Sequence, residues 1–538
     1  MNNWLPSIII TGASGFIGRH FLNELKDQFL IFAIARRSRT AAGIPYHKNV
    51  MWIQWDIGNE ALMPEVLKYI QKHGGAEYVL HLAGYYDFDY SNHPEYQRTN
   101  VDGTKNILEI ARQLNVKRVI FSSSLAACNF PAKGECVTEK SHLDADFAYA
   151  RSKKAGEEMM FQYSKYFACS IVRLAAVFSD WCEYAPLYKF VTNWLSRSWS
   201  RKILGGKGES AITYVHIQDL TKLVCEIINR SNSLPAFDIY IASPNGSVSH
   251  RELFEHATRD YFGMAVAPLL LPKIIAGIGI VGRNLMSMLR VIPRPFERPW
   301  MVKYIDRKLV VDATYTQKML SWVPVPRYHI LRRLLFLLIN MKSHPTEWRT
   351  KNEAALQKVA YRPGFLIYKE MVSEKEKLQI QIRNHIMDPS RSGLFRNYQK
   401  MEANELEFYI SSLYHLLLAS VRSGDRSLII KYMDDIALLR FASGFEVEEI
   451  CNALIVFNEI IIKELRKRPG LRKFKQEIQD CIGLTVQLAQ DVVEDTYDNL
   501  EKRLTPAKLA QLKDLKDQKS RQEMLRKLSA FYQNHPSG

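Results

Sequence analysis

The sequence predicts an α/β fold, a doubly wound parallel sheet carrying a smaller lobe, followed by an all-α helical domain. Three observations carry this. Apolar β-rich runs alternate with helix-period segments from residue 7 to about 175, the βαβα order of a parallel sheet covered on both faces. The stretch Ile8–Gly18, IIITGASGFIG, sets Gly12, Gly15 and Gly18 between a strand and a helix. From Glu402 onward, apolar positions recur at helical spacing with Gly424, Gly444 and Pro469-Gly470 between them, the pattern of an antiparallel bundle with short loops.

Taken in order, the expected strands are Ser7–Thr11, Phe29–Ala35, Val50–Asp56, Glu77–Ala83, Lys117–Ser123 and Ala168–Leu174, with helices including Val101–Leu114 and Tyr149–Tyr163 between them. Right-handed crossovers place the strand C-termini along one ligand-binding edge. At the first of these ends, Gly12 takes backbone angles closed to other residues, Gly15 lets a pyrophosphate approach, and Gly18 lets the helix pack on the strand. The helix beginning at Phe16 and Ile17 then offers free N–H groups to the anion. The unit is therefore expected to be Rossmann-like and to hold a nicotinamide dinucleotide.

The second strand ends in Arg36-Arg37, where an acid would favour NAD and arginine welcomes a 2′-phosphate; NADP is preferred over NAD. Asp56 after the third strand is placed to accept a hydrogen bond from an adenine amino group. The small Ala83-Gly84 turn lets the cofactor lie against backbone. His81 is expected to pack within its strand.

Chemistry enters with Tyr149-Ala-Arg-Ser-Lys153 and Ser122-Ser123-Ser124. Tyr149 and Lys153 share a helix face. An ammonium ~4 Å away at an effective dielectric of ~20 stabilises a phenolate by ~4 kcal/mol, about three pKa units. Tyr149 is then expected to exchange a proton near pH 7, with Lys153 reaching the nicotinamide ribose and Ser124, rather than Ser123, binding the substrate oxygen.

These pieces, with Asn100-Val-Asp-Gly-Thr104 and Tyr214-Val-His-Ile-Gln-Asp219, resemble an extended short-chain dehydrogenase/reductase of the NAD-dependent epimerase/dehydratase type over residues 7 to about 330. The resemblance implies catalysis by Ser124, Tyr149 and Lys153, with Asp56 and Ile57 flanking adenine, Asn100 supporting the cofactor site, and His216 and Asp219 structural. Leu125-Ala126-Ala127 after Ser124 lacks the acids of sugar-nucleotide dehydratases, so dehydration is disfavoured. Glu209–Thr213, Arg173-Leu174 and Phe178-Ser179 depart from the nucleotide-sugar pattern, and the apolar, basic stretch 264–310 is more like members acting on bulkier alcohols and ketones. The substrate is expected to be a secondary alcohol or ketone, or a nucleotide-sugar. The activity is expected to be that of an NAD(P)-dependent oxidoreductase or epimerase.

Ser249–Glu252 is a capping box opening a helix that ends near Gly263, and a further helix runs over 329–341. The expected division is 1–345 for the redox unit and 346–400 for a connector with some helix, including a capping box at Ser373–Glu376. A helical bundle follows over 401–500, and a charged helix or tail from Thr505-Pro506 lies within 501–538. About a hundred residues of the bundle resemble helical stressosome co-antagonist-type input domains, without a chemical signature. A dimerisation or scaffolding role is the plainer expectation, and a cofactor-sensing protein whose helical part binds a partner is the alternative to an enzyme.

The 538 residues suit two or three domains. Hydrophobic content of 47% and charged content of 24% fit a globular protein. Seven cysteines without a CxxC pair, and no metal-ligand spacing, point to reduced thiols and no metal. No secretory segment opens the chain, and a cytoplasmic protein is expected. The net charge of +17 is uneven, with fourteen Lys/Arg against four acids over 271–350. That stretch is a solvated basic face, a rim for a phosphorylated substrate, or a peripheral contact with anionic lipid. Nucleic acid is not expected, since no recognition motif accompanies the charge.

Overall fold

The computed structural model describes residues 5–87, 92–289, 295–359, 363–472 and 474–503. The chain divides into two compact units, Met1–Tyr361 and Arg362–Gly538.

The first unit begins β1 (Ser7–Thr11), α1 (Phe16–Leu25), β2 (Leu30–Ala35), β3 (Val50–Gln54), α2 (Met63–Lys72), β4 (Tyr78–His81), α3 (Gly103–Gln113), β5 (Arg118–Ser124), α4 (Ala148–Tyr163) and β6 (Ala168–Leu174). It continues through α5 (Ala185–Trp194), α6 (Ile217–Asn229), an edge strand at Phe237–Ala242, α7 (His250–Phe262) and α8 (Lys273–Met288). Seven parallel strands stand in the order edge strand, β6, β5, β4, β1, β2, β3. The direction of winding reverses between β1 and β4, where Thr11 lies opposite His81. Such a switch point opens a crevice at the strand C-termini.

Successive side chains of each strand feed opposite cores. Ile8 and Ile10 join the core that includes Phe21, Leu25, Leu223 and Ile227. Ile9 joins the core of Val66, Ile70, Ile107 and Met160. Burial on both faces is why these strands read as continuous apolar runs. All six expected strands are present, each within two residues of its expected ends. The edge strand was not anticipated: its N-terminal half is only partly buried, and some sixty residues separate it from its partner β6.

A smaller lobe is built on a separate core of Leu187, Val191, Trp194, Phe254, Leu334 and Leu337. The Ser249–Glu252 capping box forms, and Gly263 ends α7 in the left-handed region at φ 73°. The chain then returns to the sheet. Leu309, Val311, Ala313, Leu320 and Trp322 complete the same core as β1. Thr316 Oγ1 donates to Glu139 at 2.6 Å, and the Ile241 amide donates to Thr316 at 2.8 Å.

The second unit is helical over Pro363–Ser373, Lys375–Ile386, Ala403–Ser423, Ser427–Ala442, Val447–Lys467, Lys475–Ile478 and Leu484–Arg503. Residues 346–400, expected as a connector, are largely helix, and Ile367, Met371, Leu378 and Ile382 belong to the bundle core. Ser373 does not form the expected capping box: it ends one helix and its hydroxyl donates to the Glu370 carbonyl. The last bundle helix runs from Lys475 through a π turn at Gln479–Gly483 to Arg503. The Thr505-Pro506 helix start lies outside the described residues. No helix among the described residues is long and apolar enough to cross a membrane.

Candidate active site

β1 ends at Thr11, and the chain turns through Gly12 at φ +69°. A Cβ there would lie 2.9 Å from the Ala83 amide nitrogen, so both the conformation and the approach of the β4 end require glycine. The Gly15 amide donates to the Gly12 carbonyl at 2.8 Å, and a Cβ on Gly18 would fall 2.4 Å from that same carbonyl oxygen. α1 starts at Phe16 with no side-chain cap and no acid in its first turn, while Phe16 and Ile17 pack on the core. This cradle fits a dinucleotide pyrophosphate, with the N–H groups of the first turn facing the crevice edge.

Arg37 and Arg19 gather beside it, with Arg36 adjoining Arg37 in the chain. Arg37 and Arg19 each donate to the Ser14 carbonyl at 3.2 Å, and Arg19 also holds the Ala42 carbonyl at 2.6 Å. Trp52 and Gln54 of β3 donate to the Arg37 and Arg36 carbonyls at 2.9 and 3.2 Å, fixing the backbone of the pair. Arg19 was missed from sequence. Its signal is its position four residues after Gly15, one helical turn along and on the same side as the glycine cradle.

Asp56 and Ile57, just past β3, are both tied to neighbours within the protein. One Asp56 oxygen accepts two bonds from Arg98 at 3.1 Å, and the other accepts from the Gly58 amide. The Ile57 side chain is buried against Gly103, where a Cβ would be 2.7 Å from Ile57 Cγ1, and is not presented at the edge. Asn100, expected to support the cofactor site, is a strut within the protein. Its amide group donates to the Tyr85 carbonyl at 3.0 Å and to Ser152 Oγ at 2.9 Å, and its oxygen accepts from the Tyr85 amide at 2.6 Å. It thereby ties the loop after β4 to α4. Exposed Gly84 sits above it: a Cβ there would be 3.6 Å from Asn100 Oδ1 and 3.7 Å from Lys153 Nζ.

His81 holds the switch point closed from beneath. Its Nδ1 lies 2.7 Å from Thr11 Oγ1 and its Nε2 lies 2.9 Å from Thr104 Oγ1. Thr104 donates its own hydrogen to the Asn100 carbonyl, so Nε2 carries the ring proton and Nδ1 accepts from Thr11. Thr11 Oγ1 in turn accepts the Leu82 and Ala83 amides at 3.1 and 3.0 Å. Burial, and then the Lys153 charge, push the ring down to about 3. As pH falls below the unfolded value of about 6.5, the unfolded chain takes the proton first and stability is lost, down to the folded value. Between pH 6.5 and 5 this ring is expected to remove about 2 kcal/mol. Urea unfolding of His81→Gln should show that much less pH dependence over the same interval; an unchanged slope would refute the assignment.

Ser124, Tyr149 and Lys153 come together at the C-terminal end of β5 and the first turns of α4. Ser124 lies close enough to Tyr149 for its hydroxyl to favour the phenolate. Ser123 points away and donates to Glu157 at 2.5 Å, and Ser122 donates to the His81 carbonyl at 2.9 Å. Lys153 Nζ donates to the Ser122 carbonyl at 2.6 Å and stands 5.8 Å from the Tyr149 ring centre. The expected depression of the phenol is therefore corrected. Burial pushes Tyr149 up to about 12, because desolvating a phenolate outweighs the favourable effect of the Ser124 hydroxyl. Burial also lowers Lys153 to about 8, against the pull of Glu157. Tyr86 meets Tyr149 edge-on at 4.6 Å, and buried Tyr184 is close enough for the two phenols to feel each other's charge. Neither tyrosine carries a sequence motif.

His216 and Asp219 are structural. The His216 ring accepts the Gln218 amide at 3.3 Å and stacks on Tyr328 at 4.6 Å, and Asp219 accepts the Val325 amide at 3.2 Å.

Residues 8–242 match the model of the NAD dependent epimerase/dehydratase family. UDP-glucuronate 4-epimerase 3 of Arabidopsis thaliana is 26% identical over 233 residues, 40% of this chain and 53% of that protein. A putative dihydroflavonol 4-reductase of Synechocystis is 25% identical over 165 residues, 29% of this chain and 46% of that protein. The chain spans about half the length of these curated relatives. Among solved structures, a Thermotoga maritima UDP-glucose 4-epimerase with UDP-glucose is similar at TM-score 0.48 and 19% identity, over 63% of this chain and 99% of that one.

Proposed function

We propose that this chain, whose residues 8–242 carry an NAD dependent epimerase/dehydratase domain, exchanges hydride between a nicotinamide dinucleotide and a secondary alcohol or ketone. The observation that supports it most is the meeting of Ser124, Tyr149 and Lys153 beside the glycine cradle at the sheet's switch point. When bound, the nicotinamide supplies or accepts the hydride. The cradle of Gly12, Gly15 and Gly18 would hold the pyrophosphate. Ala83-Gly84 would admit the dinucleotide against backbone, and Lys153 would hold the nicotinamide ribose.

Tyr149 gives its hydroxyl proton to the substrate oxygen in reduction and takes it back in oxidation, while Ser124 hydrogen-bonds that oxygen. A phenol that burial keeps protonated is available as a proton donor at neutral pH. Epimerisation through a transient ketone uses the same groups. Leu125 and Ala127 are buried beside Ser124, with no carboxylate in that turn to expel water, which argues against dehydration. A nucleotide-sugar carrying such an alcohol is within the substrate class.

Arg36 and Arg37, joined by Arg19, favour NADP by offering charge to a 2′-phosphate. Titrating the purified chain with NADPH and NADH tests the reading. Arg36→Ala with Arg37→Ala should weaken NADPH by about tenfold or more and NADH by less than about threefold. Equal losses would sink the NADP assignment, and binding of neither dinucleotide by the wild type would sink the whole proposal.

A further inference from the structure

α8 is a helix of 16 residues, about 24 Å long, of which only Gly277 is buried. Ile274, Ile278, Val281, Leu285 and Met288 recur at spacings of four and three along one face, and exposed Ile275, Met286 and Leu289 carry the apolar surface beyond it. Every one of them is exposed, Ile274 at 77% and Met288 at 80%. Leu269 and Leu270, on the strand just before the helix, extend the patch. A continuous exposed apolar face of this kind marks a surface that is covered in use.

What surrounds the stripe defines the cover. Residues 264–310 hold eight Lys/Arg and two acids. Gly277 is the seat of α8 on the lobe, since a Cβ there would be 3.1 Å from Val302. Val302 belongs to the turn Pro299–Tyr304, which also carries Trp300, Lys303 and Tyr304. Trp300 and Tyr304 meet edge-on at 6.0 Å, and the Lys303 ammonium lies 4.7 Å over the Tyr304 ring. Apolar stripe, flanking cations and amphipathic aromatics are the three components of a helix lying in the plane of a membrane interface. The helix is shorter than the ~20 residues a span needs and carries Lys273 and Arg283. It is therefore too short to cross a membrane.

We infer that α8 docks the first unit on an anionic lipid bilayer, its stripe entering the headgroup region while exposed cations beside it, Lys273 and Lys303 among them, meet acidic lipid. A peripheral helix of this kind binds through buried apolar area together with salt-sensitive attraction. The test is flotation of the full chain with phosphatidylcholine vesicles containing either no phosphatidylglycerol or about one third of it. Recovery with the anionic vesicles is expected to exceed that with neutral ones about tenfold, and to fall several-fold in 0.5 M salt as the charges are screened. Ile278→Glu with Val281→Glu, both solvent-facing, should lower recovery about tenfold with an unchanged circular dichroism spectrum.

Equal, weak recovery on both vesicles would overturn the inference, as would a double variant that floats like the wild type. A concentration-dependent dimer that the double variant makes monomeric, with no vesicle binding by the wild type, would assign the stripe to a second copy instead. None of these readouts uses a dinucleotide or a substrate, so the inference stands or falls apart from hydride transfer.

Discussion

Tyr149→Phe should lower turnover by a factor of about 10² to 10⁴ while leaving dinucleotide binding within about threefold. The substitution removes one oxygen and keeps the ring, which packs edge-on against Tyr86. Lys153 keeps its bond to the Ser122 carbonyl, because that bond does not involve the phenol. The split between a lost rate and a retained cofactor separates a proton-transfer role from a packing role. A loss below about tenfold would remove Tyr149 from the chemistry and leave Ser124 or a bound water as the proton source.

Glu157→Ala is expected to destabilise the first unit by about 3–5 kcal/mol, the usual cost of leaving a buried charge without its partner. Arg173 is 3% exposed and grips Glu157 through two bonds of 3.0 and 2.8 Å. It also donates to the Glu139 and Ser141 carbonyls, so it cannot swing out to water without breaking those contacts as well. All nine tryptophans precede residue 361, so tryptophan fluorescence during urea unfolding follows this unit alone. Converting the pair together, Glu157→Leu with Arg173→Met, should recover most of the loss. A single-variant loss under 1 kcal/mol would mean that water reaches Arg173.

The parts legible in the sequence were those written locally. β1, the glycine turn and α1 are contiguous, and the four-residue spacing of Tyr149 and Lys153 is a property of one helix. The alternation of Ser122, Ser123 and Ser124 along β5 also separated Ser123, which turns to Glu157, from Ser124. What escaped depends on partners far along the chain. Spacing places Lys153 on the face of Tyr149, but only the packed sheet puts the Ser122 carbonyl within 2.6 Å of its ammonium. The same holds for Arg98 reaching back to Asp56, and for Asn100 bridging Tyr85 and Ser152. The phenol was misjudged for a related reason: a Coulomb estimate between two groups omits the desolvation that the rest of the fold imposes.

The return of Leu309–Trp322 into the core of β1 has a consequence for how the protein is made. When Ala242 leaves the ribosome, all seven strands have been synthesised, yet the face beneath them still lacks Val311, Leu320 and Trp322. About 80 further residues must follow, which at 5–20 residues per second is a wait of roughly 4–16 seconds. During that interval the nascent sheet presents an apolar floor, and a chaperone that binds exposed apolar segments would find its substrate in this window, losing it once Trp322 emerges.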